Sequence, residues 1–145
     1  MFSNPPDDVL RDLLARTRRI AVVGLSPKPA RDSNRVGRYL IARGYEVVPV
    51  YPRLDAILDQ PAYRRVQDVP GKVDLVDVFR RSEFLGGVVD DVLDARAPAV
   101  WFQLGCVDEA AAERAAAAGA LVVMDRCLMV EHARLLGRSW TASGT

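Results

Sequence analysis

Between Gly24 and Gly37 the chain reads GLSPKPARDSNRVG, directly after the apolar run Ile20-Ala21-Val22-Val23. A strand that ends in glycine and passes through a polar loop into a helix is where α/β proteins hold phosphates. Gly24 lets the backbone turn sharply and lets a ligand approach the main chain, so a side chain there would intrude on the ligand's path. Ser26 supplies a hydroxyl, Lys28 and Arg31 supply positive charge, and Ser33 stands where free helix N–H groups collect. Pro27 and Pro29 stiffen the loop, which lowers the cost of ordering it around a ligand. Gly37 allows the helix to pack close to the first strand. The outer glycines resemble those of a dinucleotide loop, but positions 26 and 29 are Ser and Pro, so G-x-G-x-x-G is not met. On spacing alone a phosphate loop and an ordinary polar surface loop stand level; the two cations favour phosphate.

The end of the second strand, Val50-Tyr51-Pro52-Arg53, narrows the ligand. A NAD site carries an acid near this position for the ribose hydroxyls, whereas here no acid occurs until Asp55. An arginine suits an extra ribose phosphate instead. Alone, Arg53 reads as a solvated surface charge; with Lys28 and Arg31 on the same rim it makes a ribose-phosphate site. Tyr51 can lie along an adenine. Two nucleotides meet these terms: NADP, phosphorylated at the 2′ position, and coenzyme A, phosphorylated at the 3′ position.

Other reactive side chains read as structural. His132, the single histidine, sits in VEHARL and suits a hydrogen-bonding role. Cys127 follows Asp125-Arg126, and an adjacent arginine can favour a thiolate, although a buried, inert thiol is the ordinary state. Asp74 and Asp77 fall on opposite faces of a strand, which argues against a shared acid–base role. Trp101-Phe102 are core aromatics. No metal-ligand spacing, G-x-S-x-G or Walker A lysine motif occurs.

The elements that must position these residues alternate. Asn4-Pro5-Pro6-Asp7 reads as a helix start, with Asn4 as cap, Pro5 at the first helical position and Val9, Leu10, Leu13 and Leu14 as the apolar stripe. Strands are expected at Ile20 to Gly24, Val47 to Val50, Asp74 to Phe79, Ala99 to Gln103 and Leu121 to Met124. Pro49 should end or bend the pairing of the second. Helices are expected with Ser33, Ser82 and Asp108 as caps. The first ends at Arg43-Gly44 with Val36, Leu40 and Ile41 inward. The second carries Phe84, Leu85, Val88, Val89, Val92 and Leu93. The third is the alanine run to Gly119, and a short helix spans Glu131 to Leu136. Residues 53–70 read as a loop with a helical turn, and the stretch beyond Gly137 as a tail. Strand–helix alternation implies an α/β fold: a doubly wound, five-stranded, mostly parallel sheet with helices on both faces. Ligands of such sheets bind beyond the carboxyl ends of the strands, where strand order reverses.

With 145 residues, the chain is one domain: core roughly 18–134, N-terminal helix about 5–18 and tail 138–145. Its 20 basic and 19 acidic residues leave a charge of +1, which argues against a nucleic-acid or membrane-surface binder and makes any anion site local. No apolar run is long enough to span a bilayer, and the acidic N-terminus is unlike a secretion signal. A cytoplasmic protein with two reduced thiols is expected.

The series IAVVGLSPKPARDSNRVGRYLIARGYEVVPVYP, VDLVDVFRR, AVWFQLG and VVMDRCLMVEH, in this order, resembles the small stand-alone CoA-binding proteins. Those are similar to the N-terminal CoA-binding domain of the succinyl-CoA synthetase α subunit. The resemblance runs from about Arg18 to about Arg134 and implies a Rossmann-like domain holding coenzyme A. It places Gly24, Ser26, Pro27, Lys28, Arg31 and Ser33 at the phosphates, and Val50, Tyr51, Pro52 and Arg53 at the adenosine. Val78, Phe79 and Arg80 would border the start of the pantetheine arm, with Gln103 and Gly105 further along it. The synthetase loop is richer in glycine, and its phosphorylated histidine lies on a second domain, so ligase activity does not carry over. The expected function is binding of coenzyme A or acyl-CoA without catalysis. The alternatives are an NADP-dependent oxidoreductase, and a ligase subunit that works with a separate nucleotide-binding chain.

Overall fold

The computed structural model describes residues 1–142, so positions 143–145 of the expected tail lie outside the described residues. In chain order the elements are α1 (Asp7–Arg16), β1 (Arg19–Val23), α2 (Asp32–Ala42), β2 (Glu46–Val50), β3 (Ala56–Ile57), β4 (Gln60–Pro61), β5 (Leu75–Val78), α3 (Leu85–Asp94), β6 (Ala99–Phe102), α4 (Glu109–Ala117), β7 (Leu121–Val123) and α5 (Leu128–Leu136). The five longer strands form one sheet in the order β2-β1-β5-β6-β7, and every pairing in it is parallel. Strand order reverses between β1 and β5, which makes their carboxyl ends the switch point of a Rossmann-like fold.

Residues alternate across this sheet with the strand period of two. Val23, Val50, Val76, Val78, Val100 and Phe102 face α3 and α4, while Ile20, Val22, Leu75, Trp101 and Val123 face α1, α2 and α5. Both faces are therefore covered, and the strands read as near-continuous apolar runs, interrupted in β5 by Asp77.

Several local expectations are corrected. Asn4 does not cap α1; its amide clasps the backbone of Met124 at the end of β7, donating at 2.9 Å and accepting at 2.8 Å. Ser33 lies inside the first turn of α2 and not at its cap, and Ile41 is partly exposed. Ser82 opens a 3-10 turn ahead of α3, and Phe84 points away from both cores. Asp108 caps α4 as expected, accepting from Ala111 N at 3.0 Å.

Pairing runs on through Pro49, opposite Val22. Because β2 is an edge strand and the Pro49 carbonyl faces outward to Tyr63 N, the missing donor also faces outward and costs the ladder nothing. Residues 53–70 hold a two-residue hairpin, β3-β4, turning through Leu58 and Asp59 at positive φ, and then a 3-10 turn at Val66–Asp68. The final helix begins three residues earlier than expected, at Leu128. After it the chain packs back on the body: Trp140 lies against His132 and Tyr45, and Ala142 is buried with its N–H on Arg43 O. No helix among the described residues is long and apolar enough to cross a membrane.

Candidate functional site

At the switch point, a cavity of about 800 Å³ opens over the ends of β1, β2 and β5 and against the start of α2. Eleven of the residues singled out from the sequence line it: Gly24, Ser26, Lys28, Arg31, Ser33, Val50, Tyr51, Pro52, Arg53, Phe79 and Arg80. The other four do not. Pro27 is exposed on the outer side of the loop, and Val78 is fully buried in the core under α3. Gln103 is buried, with its side-chain oxygen accepting from Leu128 N at the start of α5 at 3.1 Å. Gly105 lies one loop further along the sheet edge, its N–H on the Asp125 carboxylate at 2.8 Å.

The loop after β1 is held in shape by α2. Ser26 N donates to Ser33 Oγ at 2.9 Å, and Asn34 Nδ2 donates to Ser26 O at 2.8 Å. Arg38 closes the brace, donating to Asn34 Oδ1 at 2.9 Å and to Pro29 O at 3.1 Å. Ser26 Oγ accepts from Lys28 N at 3.1 Å. The loop is thus braced by the protein's own hydrogen bonds to α2. The first N–H to close the α2 ladder is that of Arg35, on Arg31 O, so helix geometry leaves the earlier amides without a helical partner at the end of α2 where Asp32 and Ser33 line the cavity.

Gly24 has φ +83°, and a Cβ there would stand 2.3 Å from the carbonyl oxygen of Phe79. What requires glycine at this point is therefore the neighbouring strand end, ahead of any ligand. Gly37 faces the side chains of Leu25 and Leu58, at 2.8 and 3.3 Å from its Cβ position, and not the first strand itself.

Five cations line the wall: Lys28, Arg31, Arg53, Arg64 and Arg80. Arg64 is the one the sequence did not signal. It reaches the cavity because Tyr63 pairs outside β2, with Tyr51 N donating to Tyr63 O at 2.8 Å. The cavity's two carboxylates are already engaged, Asp32 by Arg35 at 2.6 Å and Asp91 by Arg65 at 2.7 Å. None of the five cations has an ion pair with a described residue. The result is a locally cationic cavity in a chain of almost balanced charge.

The remaining reactive groups lie elsewhere. His132 is fully buried, its Nδ1 hydrogen-bonded to Tyr39 OH at 2.8 Å, and burial pushes its pKa down to about 4. Arg126 is bound to Glu131 at 2.9 Å, so it is not directed at Cys127. Burial pushes the Cys106 thiol up, and its Sγ lies 3.7 Å from Val78 O. Asp77 is fully buried on β5 with both carboxylate oxygens unpartnered, and desolvation holds its carboxyl well above the usual range. Asp74 stands outside the strand, its carboxylate accepting from Arg18 N and Arg19 N. No cluster of three or more metal-ligating side chains occurs among the described residues.

The family model described as "CoA binding domain" matches residues 18–133. The uncharacterized protein YneT of Bacillus subtilis (strain 168) is 42% identical over 132 residues, 91% of this chain and 98% of that protein. A solved hypothetical protein from Pyrococcus horikoshii OT3 is 39% identical with a TM-score of 0.88, covering 94% of this chain and 100% of that one. The acetyl-coenzyme A synthetase 1 of Ca. Korarchaeum cryptofilum, in its apo form, is 26% identical with a TM-score of 0.70. That match covers 79% of this chain and 27% of the synthetase.

Proposed function

The chain belongs to the CoA binding domain family, and from that premise we propose that it binds coenzyme A, free or as an acyl thioester, in the cavity at the switch point. It acts there as a binding module without chemistry of its own. The observation that carries this reading is the set of five cations around that cavity, against two carboxylates that are both neutralised.

The pyrophosphate lies on the loop from Ser26 to Ser33 and the first amides of α2, where charge and free N–H groups coincide. The adenine lies along Tyr51, between Val50 and Pro52. Arg53 and Arg64 take the ribose phosphate, and the arm leaves past Phe79 and Arg80. Charge-assisted hydrogen bonds of this kind contribute about 1.5–3 kcal/mol each.

Calorimetry at low salt with CoA, dephospho-CoA, NADP and NAD tests the reading. CoA should bind tightest, and Arg53→Ala should weaken CoA on the order of tenfold while leaving dephospho-CoA nearly unchanged. A preference for NADP would install the oxidoreductase alternative, and no heat with CoA would end the proposal. The likeness to one part of a synthetase supports a second reading, a ligase subunit, which would show as a stable complex with a nucleotide-binding chain.

A further inference from the structure

No residue of β6 or of the loop after it lines the cavity. Arg80, the cavity's last cation in that direction, lies with its guanidinium carbon 4.6 Å from the centre of the Phe84 ring. Phe84 is therefore the next surface beyond the cavity. Ser82 then ties this segment to the loop after β6: its Oγ donates to Gly105 O at 3.3 Å and accepts from Val107 N at 2.9 Å. The two loops so joined carry three exposed apolar side chains, Phe84 at 39%, Leu104 at 69% and Val107 at 45% exposure. None of the three packs into either core, and Phe84 is engaged only by the guanidinium groups of Arg80 and Arg81. Nothing lies within 4 Å of the Cβ position of Gly105, which leaves room above the join.

We propose that this rim, Phe84, Leu104 and Val107, seats the apolar acyl chain of a CoA thioester whose nucleotide occupies the cavity, so that the physiological ligand is a medium-chain acyl-CoA. The inference rests on the CoA reading above and deepens it. Two arguments select this occupant. The first is continuity: from β1 to β6 is two strand spacings, on the order of 10 Å, a distance that an extended pantetheine arm spans. An arm leaving past Phe79 and Arg80 thus delivers its sulfur to the rim. The second is size: three partly exposed side chains make a patch far smaller than the ~800 Å² per partner that a stable protein interface buries.

The test compares CoA, acetyl-CoA and octanoyl-CoA by calorimetry on the wild type and on Leu104→Asp, an exposed substitution whose fold is checked by thermal melting. Octanoyl-CoA should bind on the order of thirtyfold tighter than acetyl-CoA, since only part of its added chain is buried on an open rim. Leu104→Asp should erase that difference and leave CoA affinity within about twofold. Equal affinity of the two thioesters for the wild type, or a difference that survives Leu104→Asp, overturns the inference while the CoA reading stands. Failure of CoA itself to bind overturns both. Concentration-dependent dimerisation abolished by Leu104→Asp, with thioester preference unaltered, would assign the rim to a second copy of the chain and also overturn it.

Discussion

Gly24→Ala should destabilise the whole domain, because the site's first glycine is held in place by the sheet. Two costs add at that residue. Its φ of +83° is unfavourable for any residue with a Cβ, by about 1–2 kcal/mol. The new Cβ would also lie 2.3 Å from Phe79 O, a backbone atom that cannot swing aside. Phe79 is fixed there because its own N–H donates to Val23 O at 2.8 Å. Relieving the overlap must shift the ends of β1 and β5 apart, at roughly 1–3 kcal/mol for overpacking. At about 3 °C per kcal/mol for a domain of this length, the melting temperature should fall on the order of 10 °C. Gly119→Ala separates the two costs: φ there is +98°, yet nothing lies within 4 Å, so only the backbone cost applies. Thermal melts of the three proteins, with and without CoA, make the measurement. Gly24→Ala should melt several degrees below Gly119→Ala and bind CoA at least tenfold more weakly, since the displaced Phe79 is part of the cavity wall. A melting point within about 2 °C of wild type would refute the steric reasoning, and unchanged CoA affinity in a destabilised variant would cut the link between strand end and site.

Asn4→Ala removes both hydrogen bonds to the Met124 backbone and should cost about 1–3 kcal/mol in urea denaturation, with loss of amide protection at Met124; an unchanged midpoint would show the clasp to be dispensable. Asp77 and His132 should impose opposite pH slopes on stability. Asp77 stays protonated in the fold while the unfolded chain ionises above about 3.8, so stability falls as pH rises from there through the raised folded value. His132 stays neutral in the fold down to about 4 while the unfolded chain protonates below about 6.5, so stability falls as pH drops through that window. Asp77→Asn should therefore expose a slope of up to about 1.4 kcal/mol per pH unit, rising with pH between 4 and 6.5. Parallel urea-derived profiles for wild type and Asp77→Asn would contradict this.

The layered fold was legible because fully buried parallel strands leave a plain signature. Ile20 to Val23 and Ala99 to Phe102 are apolar without alternation, Leu75 to Val78 is so but for Asp77, and helical stripes separate them. Capping was less legible, since Asn4, Ser33 and Ser82 carry cap chemistry that tertiary partners take over. Asn4 is used by a strand 120 residues away, Ser33 by the loop ahead of it and Ser82 by the loop after β6. The same limit applies to the site. Residues contiguous with a strand end, such as Gly24 and Tyr51, can be read from local sequence. Arg64, Asn34 and Arg38 cannot, because their places depend on a pairing outside β2 and on a helix surface folding back over the loop.

Charge shows most clearly what the linear reading lacked. A balance of +1 says nothing of where the charges go. In the folded chain, many arginines away from the cavity are bound to carboxylates, as Arg19 to Glu46 and Arg134 to Asp7 and Glu131. Others are bound to carbonyls, as Arg11 to Leu135 O and Arg18 to Ala15 O. The acids nearest the cavity are matched by Arg35 and Arg65, which do not line it. Lys28, Arg31, Arg53, Arg64 and Arg80 consequently share one concave surface with no carboxylate left over to answer them. Such like charges repel one another, a cost the fold bears without internal return. A ligand carrying phosphates at two separated positions, one set over the start of α2 and one toward Arg53 and Arg64, relieves that repulsion at both ends of the cavity. A nucleotide with a single phosphate group relieves it at one end only, and this is the physical ground for expecting the ribose phosphate to decide affinity.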